Sequence, residues 1–238
     1  ELSKVLNNAM LVQLQELAVL KRLDEIGDMT EGVQLCYSQE GESLILERFF
    51  NFKNNGFFVD VGAHDPKRFS NTYTFYKKGW RGINIEPTPG VMERFKLVRP
   101  EDITLPVAIS DNEGYQDFYM FSEPALNTFS DQLSKEYQKL GCKLIETRKI
   151  KTRRLDAILE QYHIDQPIDF ISIDVEGHEL FVLQSNNWTR FRPKLLLLEI
   201  LNSDIGKLES YAEHNFLINE GYVLYAKTFN TLIYKDNR

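Results

Sequence analysis

Short apolar runs recur along the chain with helix-compatible segments between them. The runs are 57–62 (FFVDVG), 81–86 (RGINIE), 103–109 (ITLPVAI), 168–174 (IDFISID) and 194–200 (KLLLLEI). Each predicts a strand, and helices fit near 42–53, 89–98, 154–163 and 177–186. Short, nearly continuous apolar strands alternating with helices indicate a parallel sheet covered on both faces. The tail differs. Residues 221–235 (GYVLYAKTFNTLIYK) read as two strands joined by a turn at Phe229-Asn230, a terminal hairpin on an otherwise parallel sheet. Between residues 110 and 153 the repeat breaks. YQDFYMF (115–121) and KLIETRKIKTRRL (143–155) read as strands with a helix around 131–140, an insertion or cap over one end of the sheet.

The first 26 residues contain neither Gly nor Pro. Leu6, Met10, Leu14, Leu17 and Ala18 fall at helical spacing, and Gly27 marks a stop. Residues 1–36 therefore read as a helical arm ahead of a domain over 37–238. Leu11, Val12, Val19, Leu20, Leu23 and Ile26 give the arm more apolar surface than a solvated helix needs. Self-packing or a homo-oligomeric contact is favoured over a membrane-associated one, because Gln13, Gln15 and Glu16 interrupt the run.

Composition narrows the function classes. In 238 residues, 42% are hydrophobic, enough for a sizeable core. A net charge of −7 argues against a nucleic-acid or anionic-membrane partner. Cys36 and Cys142 form neither a disulfide framework nor a zinc pair, and no apolar run is long enough to span a membrane. The expectation is a cytoplasmic protein with free thiols.

Ligands of an open parallel sheet bind beyond the carboxyl ends of its strands. Those ends carry Asp60 and Gly62, Glu86, Ser110 and Asp111, Asp174 and Glu176, and Glu199. A single such acid is usually a helix cap. Five acidic or polar ends on one rim repel one another unless a ligand or water relieves the charge. Glu86 lies 24 residues past Gly62, where an acidic side chain holds a ribose diol. The glycine fingerprint for a pyrophosphate fails, because His64 and Lys67 occupy the later glycine positions. A ribose-bearing ligand without pyrophosphate needs fewer glycines. S-adenosylmethionine is one, and its cationic sulfonium and ammonium suit an acidic rim. A dehydrogenase is the weakest rival.

The ordered blocks DVGAHDPKRFSNTY, GWRGINIEP, VAIS, NTFS, TRRLDAIL, DFISIDVEGHELFVL and RPKLLLLEI resemble the FkbM-type S-adenosylmethionine-dependent methyltransferases, over about residues 38–200 and including SQEGESLIL at 38–46. The resemblance implies an α/β class I methyltransferase fold, Rossmann-like, with a seven-stranded mostly parallel sheet whose last strand is antiparallel. It also implies that Asp60, Gly62 and Ala63 turn under the methionine part of the cofactor, with Glu86 on the ribose and Pro87 following it. By the same resemblance Ala108, Ile109 and Ser110 lie near adenine, and Gln39, Ser70 and Asn71 close over the amino-acid end. His64-Asp65-Pro66 replaces a stretch where many methyltransferases carry a third glycine; His64 and Pro66 resemble one branch of the family, and Asp65 has no assigned role.

O-methylation needs a hydroxyl in line with the departing sulfur and a base for its proton. Asp174-Val175-Glu176-Gly177-His178-Glu179 leaves the central strand and opens a helix. Capping alone would account for its acids. The functional reading makes Asp174 a cofactor- or substrate-facing carboxylate and Glu176 or His178 the base, with His64 as competitor or cofactor-positioning group. Asp174, Glu176 and Glu199 also match the oxygen ligands of a divalent cation, although an obligatory metal is not favoured. The basic run 148–154 reads first as a solvated strand edge, with a phosphate of a nucleotide- or lipid-linked sugar as the sharper alternative. The expected activity is methylation of a sugar hydroxyl in a surface glycan or glycosylated metabolite. The rivals are methylation of a polyketide or other small metabolite, and a non-catalytic cofactor-binding assembly subunit. DNA methylation is disfavoured, since no [DNS]-P-P-[YFW] motif follows a strand.

Overall fold

A computed structural model describes residues 34–238, so the helix read over 1–26, and nearly all of the arm drawn over 1–36, lies outside the described residues. The elements in chain order are α1 (Glu42–Phe49), β1 (Phe57–Val61), α2 (Tyr73–Lys77), β2 (Arg81–Ile85), α3 (Val91–Val98), β3 (Ile103–Leu105), β4 (Ala108–Ile109) and β5 (Gly114–Phe121). Then come α4 (Asp131–Lys139), β6 (Leu144–Arg153), α5 (Leu155–Gln161), β7 (Phe170–Ile173), α6 (Glu179–Gln184), β8 (Leu195–Glu199), α7 (Ala212–Asn219), β9 (Tyr222–Lys227) and β10 (Thr231–Asp236). Short 3-10 turns occupy Pro124–Leu126 and Ile205–Ser210.

The seven-stranded sheet runs β3-β2-β1-β7-β8-β10-β9, and a second sheet runs β4-β6-β5. In the large sheet β1, β2, β3, β7 and β8 pair in parallel, while β10 is antiparallel to both neighbours. This is the mostly parallel class I arrangement with its last strand reversed.

Strand alternation sorts side chains onto two cores. Phe57, Val59, Val61, Ile171, Ile173, Leu196 and Leu198 face one layer, with α5, α6 and α7 residues. Phe58, Phe170, Leu195 and Leu197 face the other, against Leu46, Phe75 and Trp80. Leu195 to Leu198 are all at most 1% exposed. Each such side chain contributes about 1.5–3 kcal/mol, which is why β8 can be uniformly apolar until it ends on Glu199.

The run 103–109 is not one strand. Pro106 has no N–H to give a ladder, and the chain leaves the large sheet after Leu105 and joins the small one at Ala108. The helices expected over 42–53 and 177–186 are shorter, and α2 and α7 carry no strong periodic signal. Residues 110–153 build β5, α4 and β6 over the carboxyl end of the large sheet. Cys36 and Cys142 are free thiols. Among the described residues no helix is long and apolar enough to cross a membrane.

Candidate active site

At the end of β1 the chain must turn sharply beside β7. Gly62 adopts φ 83°, and a Cβ there would lie 1.7 Å from the Asp174 carbonyl oxygen. Its N–H donates to Ile85 O at 2.9 Å. Glycine is therefore required twice, for the left-handed backbone and for the close approach. The turn opens a cleft of about 350 Å³ at the carboxyl ends of β1, β2, β7 and β8. Phe118, the 123–127 turn, Phe129 and Tyr137 of the insertion close its far side.

The loop after Gly62 needs no further glycine because acids satisfy its backbone. Glu86 accepts the His64 N–H (2.9 Å) on Oε2 and the Thr88 N–H (2.7 Å) on Oε1. Asp65 Oδ1 accepts the N–H groups of Lys67 and Arg68, both at 2.9 Å, and its Oδ2 pairs with Arg94 at 2.5 Å. Asp65 is thus an Asx-turn residue, a role its sequence position alone did not reveal. His64 sits at φ 48° and lines the cleft, with Nε2 buried and unpartnered. Ser70 Oγ accepts the Thr72 and Tyr73 N–H groups ahead of α2, and Asn71 donates to Ser172 Oγ at 3.0 Å.

Beside the Gly62 turn, the adjacent strands β7 and β8 deliver three carboxylates. Asp174 follows β7, Glu199 ends β8, and Glu176 is turned back by left-handed Glu176 and Gly177 (φ 52° and 88°). Their oxygens lie within 4.8 Å of one another. Tyr137 donates its O–H to Glu176 Oε2 at 2.7 Å, and Thr128 Oγ1 donates to Glu176 O at 2.6 Å. Glu199 Oε2 is buried and unpartnered. Such crowding cannot be fully ionised. Burial first, then Asp174, pushes Glu176 up to about 8. Burial and then Asp174 also raise Glu199, which shares a hydrogen bond with Asp174, and burial raises Asp174. Burial lifts the neighbouring Glu179 to about 7. The trio is a proton-loaded pocket that a cation would discharge. It is also a chemically suitable oxygen set for a divalent ion.

Glu199 sets a stability prediction. Its folded pKa lies above the unfolded value of 4.5. The folded state therefore holds a proton the unfolded state has released, and stability falls as pH rises from that value towards the folded pKa. Glu199→Gln removes this penalty. Its melting temperature should match wild type at pH 4 and exceed it by about 5 °C at pH 8, corresponding to roughly 2 kcal/mol. Parallel thermal melts check it, and equal pH slopes would reject it.

Of the residues expected at the site, Gln39, Asp60, Gly62, Ala63, His64, Ser70, Asn71, Glu86, Pro87, Asp174 and Glu176 line the cleft. Four do not. Ala108, Ile109 and His178 line a pocket of about 20 Å³ behind it, which shares Gly62, Pro87, Phe129 and Val175 with the cleft. Ser110 is fully buried and sits 3.1 Å from His178 Nε2. His178 lies between Phe129 and Phe181, and burial lowers it to about 4. It packs the insertion against α6 and is not placed to receive a proton in the cleft. The sequence reading did not place Tyr137, Ser172 or Asn230 at the site, although they line the cleft, and named Glu199 only as a strand end and cation ligand. Only Glu199 carried a signal, an acid ending an apolar strand.

A family model described as the methyltransferase FkbM domain matches residues 60–224, more than half the chain. No curated protein matches. Among solved structures, a TehB-like SAM-dependent methyltransferase from Corynebacterium glutamicum aligns at 8% identity and TM-score 0.40, over 94% of this chain and 100% of its own. An O-methyltransferase from Bacillus cereus in complex with SAH aligns at 10% identity and TM-score 0.40, over 91% and 89%. A precorrin-6y C5,15-methyltransferase from Geobacter metallireducens aligns at 12% identity and TM-score 0.35, over 81% and 85%. The fold rests on the chain's own sheet order.

Proposed function

The chain belongs to the FkbM methyltransferase family, and from that premise we propose that it methylates a hydroxyl of a sugar, in a surface glycan or a glycosylated metabolite, at the cost of S-adenosylmethionine. The observation that carries the reading is the trio Asp174, Glu176 and Glu199 on the cleft wall beside the Asp60–Gly62 turn. The cleft fits the cofactor on its donor set. It offers acids for the cationic groups, the Glu86 carboxylate for a diol and a glycine turn that no other residue can make.

Bound there, S-adenosylmethionine supplies a methyl group activated by a positively charged sulfur. Asp60, Gly62 and Ala63 would hold its methionine part. Glu86 would hold its ribose: each carboxylate oxygen keeps acceptor capacity after its one backbone hydrogen bond. Glu176 takes the proton of the acceptor hydroxyl, while Tyr137 fixes its carboxylate at 2.7 Å. Asp174 and Glu199 share a proton and orient the hydroxyl. A sugar acceptor is supported by the family resemblance and by the cleft lining, which joins aromatic Phe69 and Phe129 to polar Arg68, Glu123 and Asn230. Such a mixture of aromatic and polar groups suits a ring rich in hydroxyls.

Calorimetry with S-adenosylmethionine and S-adenosylhomocysteine tests the site. Wild type should bind both, and Asp60→Ala and Glu86→Ala should each weaken binding by about 10- to 100-fold. Methyl transfer is then compared on nucleotide sugars and on hydroxylated macrolides, with mass spectrometry locating the new methyl. Transfer to the macrolide alone would move the acceptor to a polyketide. Cofactor binding without transfer to either would leave a binding protein.

A further inference from the structure

Behind Asp60 lies a buried polar chain that the reaction described above does not use. Arg99, just past α3, is fully buried. Its guanidinium packs among the rings of Phe58, Tyr76 and Phe95 at 5.3, 5.3 and 5.6 Å. Nε donates to Asp102 Oδ2 at 2.8 Å. Nη1 donates to Thr72 Oγ1 at 3.0 Å and more weakly to Ser70 Oγ at 3.4 Å. Thr72 Oγ1 in turn donates to Asp60 Oδ2 at 2.7 Å, and Thr72 is fully buried. Asp102 is anchored by the Gly82 N–H and the Asn84 side chain, each at 3.0 Å.

Arginine has donors only, and a hydroxyl has one proton. With Arg99 donating to Thr72, the hydroxyl proton goes to the carboxylate oxygen of Asp60 at 2.7 Å in preference to the neutral Ser70 Oγ at 3.2 Å. We infer that Arg99 is a positioning residue that acts through Thr72 to keep Asp60 ionised and aimed into the cleft for the cationic end of the cofactor. The inference rests on the proposed cofactor site.

A merely packed arginine would not need this geometry. Moving a guanidinium into a ring-lined core is costly, and here its Nη2 goes unpaired. Asp60 needs the help. Burial raises it most, Thr72 and then Arg99 pull it back down, and Asp174 and Asp102 push it up, which leaves it at about 6. Without Thr72 and Arg99 its carboxyl would rise further toward protonation, and a protonated carboxyl does not attract an ammonium or sulfonium.

The test uses Thr72→Val, which keeps Arg99 and the side-chain volume, with Thr72→Ser as the conservative rescue. Two readouts are taken between pH 5 and 9: S-adenosylhomocysteine affinity by calorimetry, and the Asp60 carboxyl titration by carbon-13 NMR of the apo protein. In wild type, affinity should fall as pH drops through about 6. In Thr72→Val both midpoints should rise by about one pH unit, with near-normal affinity at pH 9, and Thr72→Ser should restore wild-type midpoints. An affinity loss uniform with pH, or an unmoved Asp60 titration, would overturn the relay. Should Thr72→Val not fold, Thr72→Ser against Arg99→Lys decides by the same titration, since Lys keeps the charge but cannot hold Thr72 and Asp102 together. An Asp60 midpoint that moves while no variant binds the cofactor, wild type included, would uphold the relay and reject the cofactor site.

Discussion

Replacing Gly62 with alanine is expected to cost more than about 4 kcal/mol of stability, near the whole margin of a marginal domain, and to abolish cofactor binding in whatever folds. The added carbon would stand 1.7 Å from the carbonyl oxygen of Asp174. Nothing at that distance is flexible: one side is the end of β1 and the other is the backbone leaving β7. Relief requires the two central strands to part at the point where they carry Asp60 and Asp174. Gly90 supplies the control. It has nearly the same left-handed backbone, φ 84° against 83°, but nothing within 4 Å of its would-be Cβ. Gly90→Ala should therefore cost only the dihedral term, about 1–2 kcal/mol. Urea unfolding of both variants separates the two effects. Equal losses would mean that conformation, not close approach, is why the strand stops on glycine.

What could be read in the sequence was what is local. Strands β1, β2, β7 and β8 are short apolar runs whose alternating neighbours fill two cores, and their ends were placed within about two residues. The terminal hairpin was legible from its turn at Phe229-Asn230. Gly62 and Glu86 were legible because a sharp turn and an acid at the next strand's end are both single-position signals. The break at Pro106 was written in the sequence but outweighed by the apolar residues around it; a missing N–H decided against them. The convergence of Asp174, Glu176 and Glu199 on one rim was legible from their strand ends, but the tertiary contacts around them were not. Glu199 meets Asp174 because β7 and β8 are neighbours in register, and Tyr137 meets Glu176 only because α4 folds back over the cleft. His178 shows the reverse case. One residue after a left-handed Glu176-Gly177 pair, its ring is sent behind the cleft to Ser110, so a motif position that looked catalytic became packing. Direction after a positive-φ pair depends on tertiary contacts that no periodicity reports.

Glu176→Gln should lower kcat by about 10²- to 10⁴-fold, the range for removing a general base, while S-adenosylhomocysteine affinity stays within a few-fold of wild type. Glutamine keeps the side chain's length and can still accept the Tyr137 hydroxyl, so the loss would report the proton-accepting oxygen and not a collapsed wall. The pH profile carries a second, sharper expectation. Burial and the Asp174 charge raise free Glu176 to about 8, and a base works only when deprotonated. Wild-type kcat/KM should therefore climb with pH and level off above about 8. A positive sulfur held in the cleft favours the carboxylate, so the limb in kcat, which reports the loaded enzyme, should lie at lower pH than the limb in kcat/KM. Glu176→Gln should remove both limbs along with the rate. Asp174→Asn separates the roles: it takes away the charge that raises Glu176, so its surviving kcat/KM limb should move to lower pH. A Glu176→Gln enzyme with unchanged kcat, or one that keeps the wild-type limb, would assign the proton to another group on the same wall, and Asp174 would be the next to test by the same two profiles.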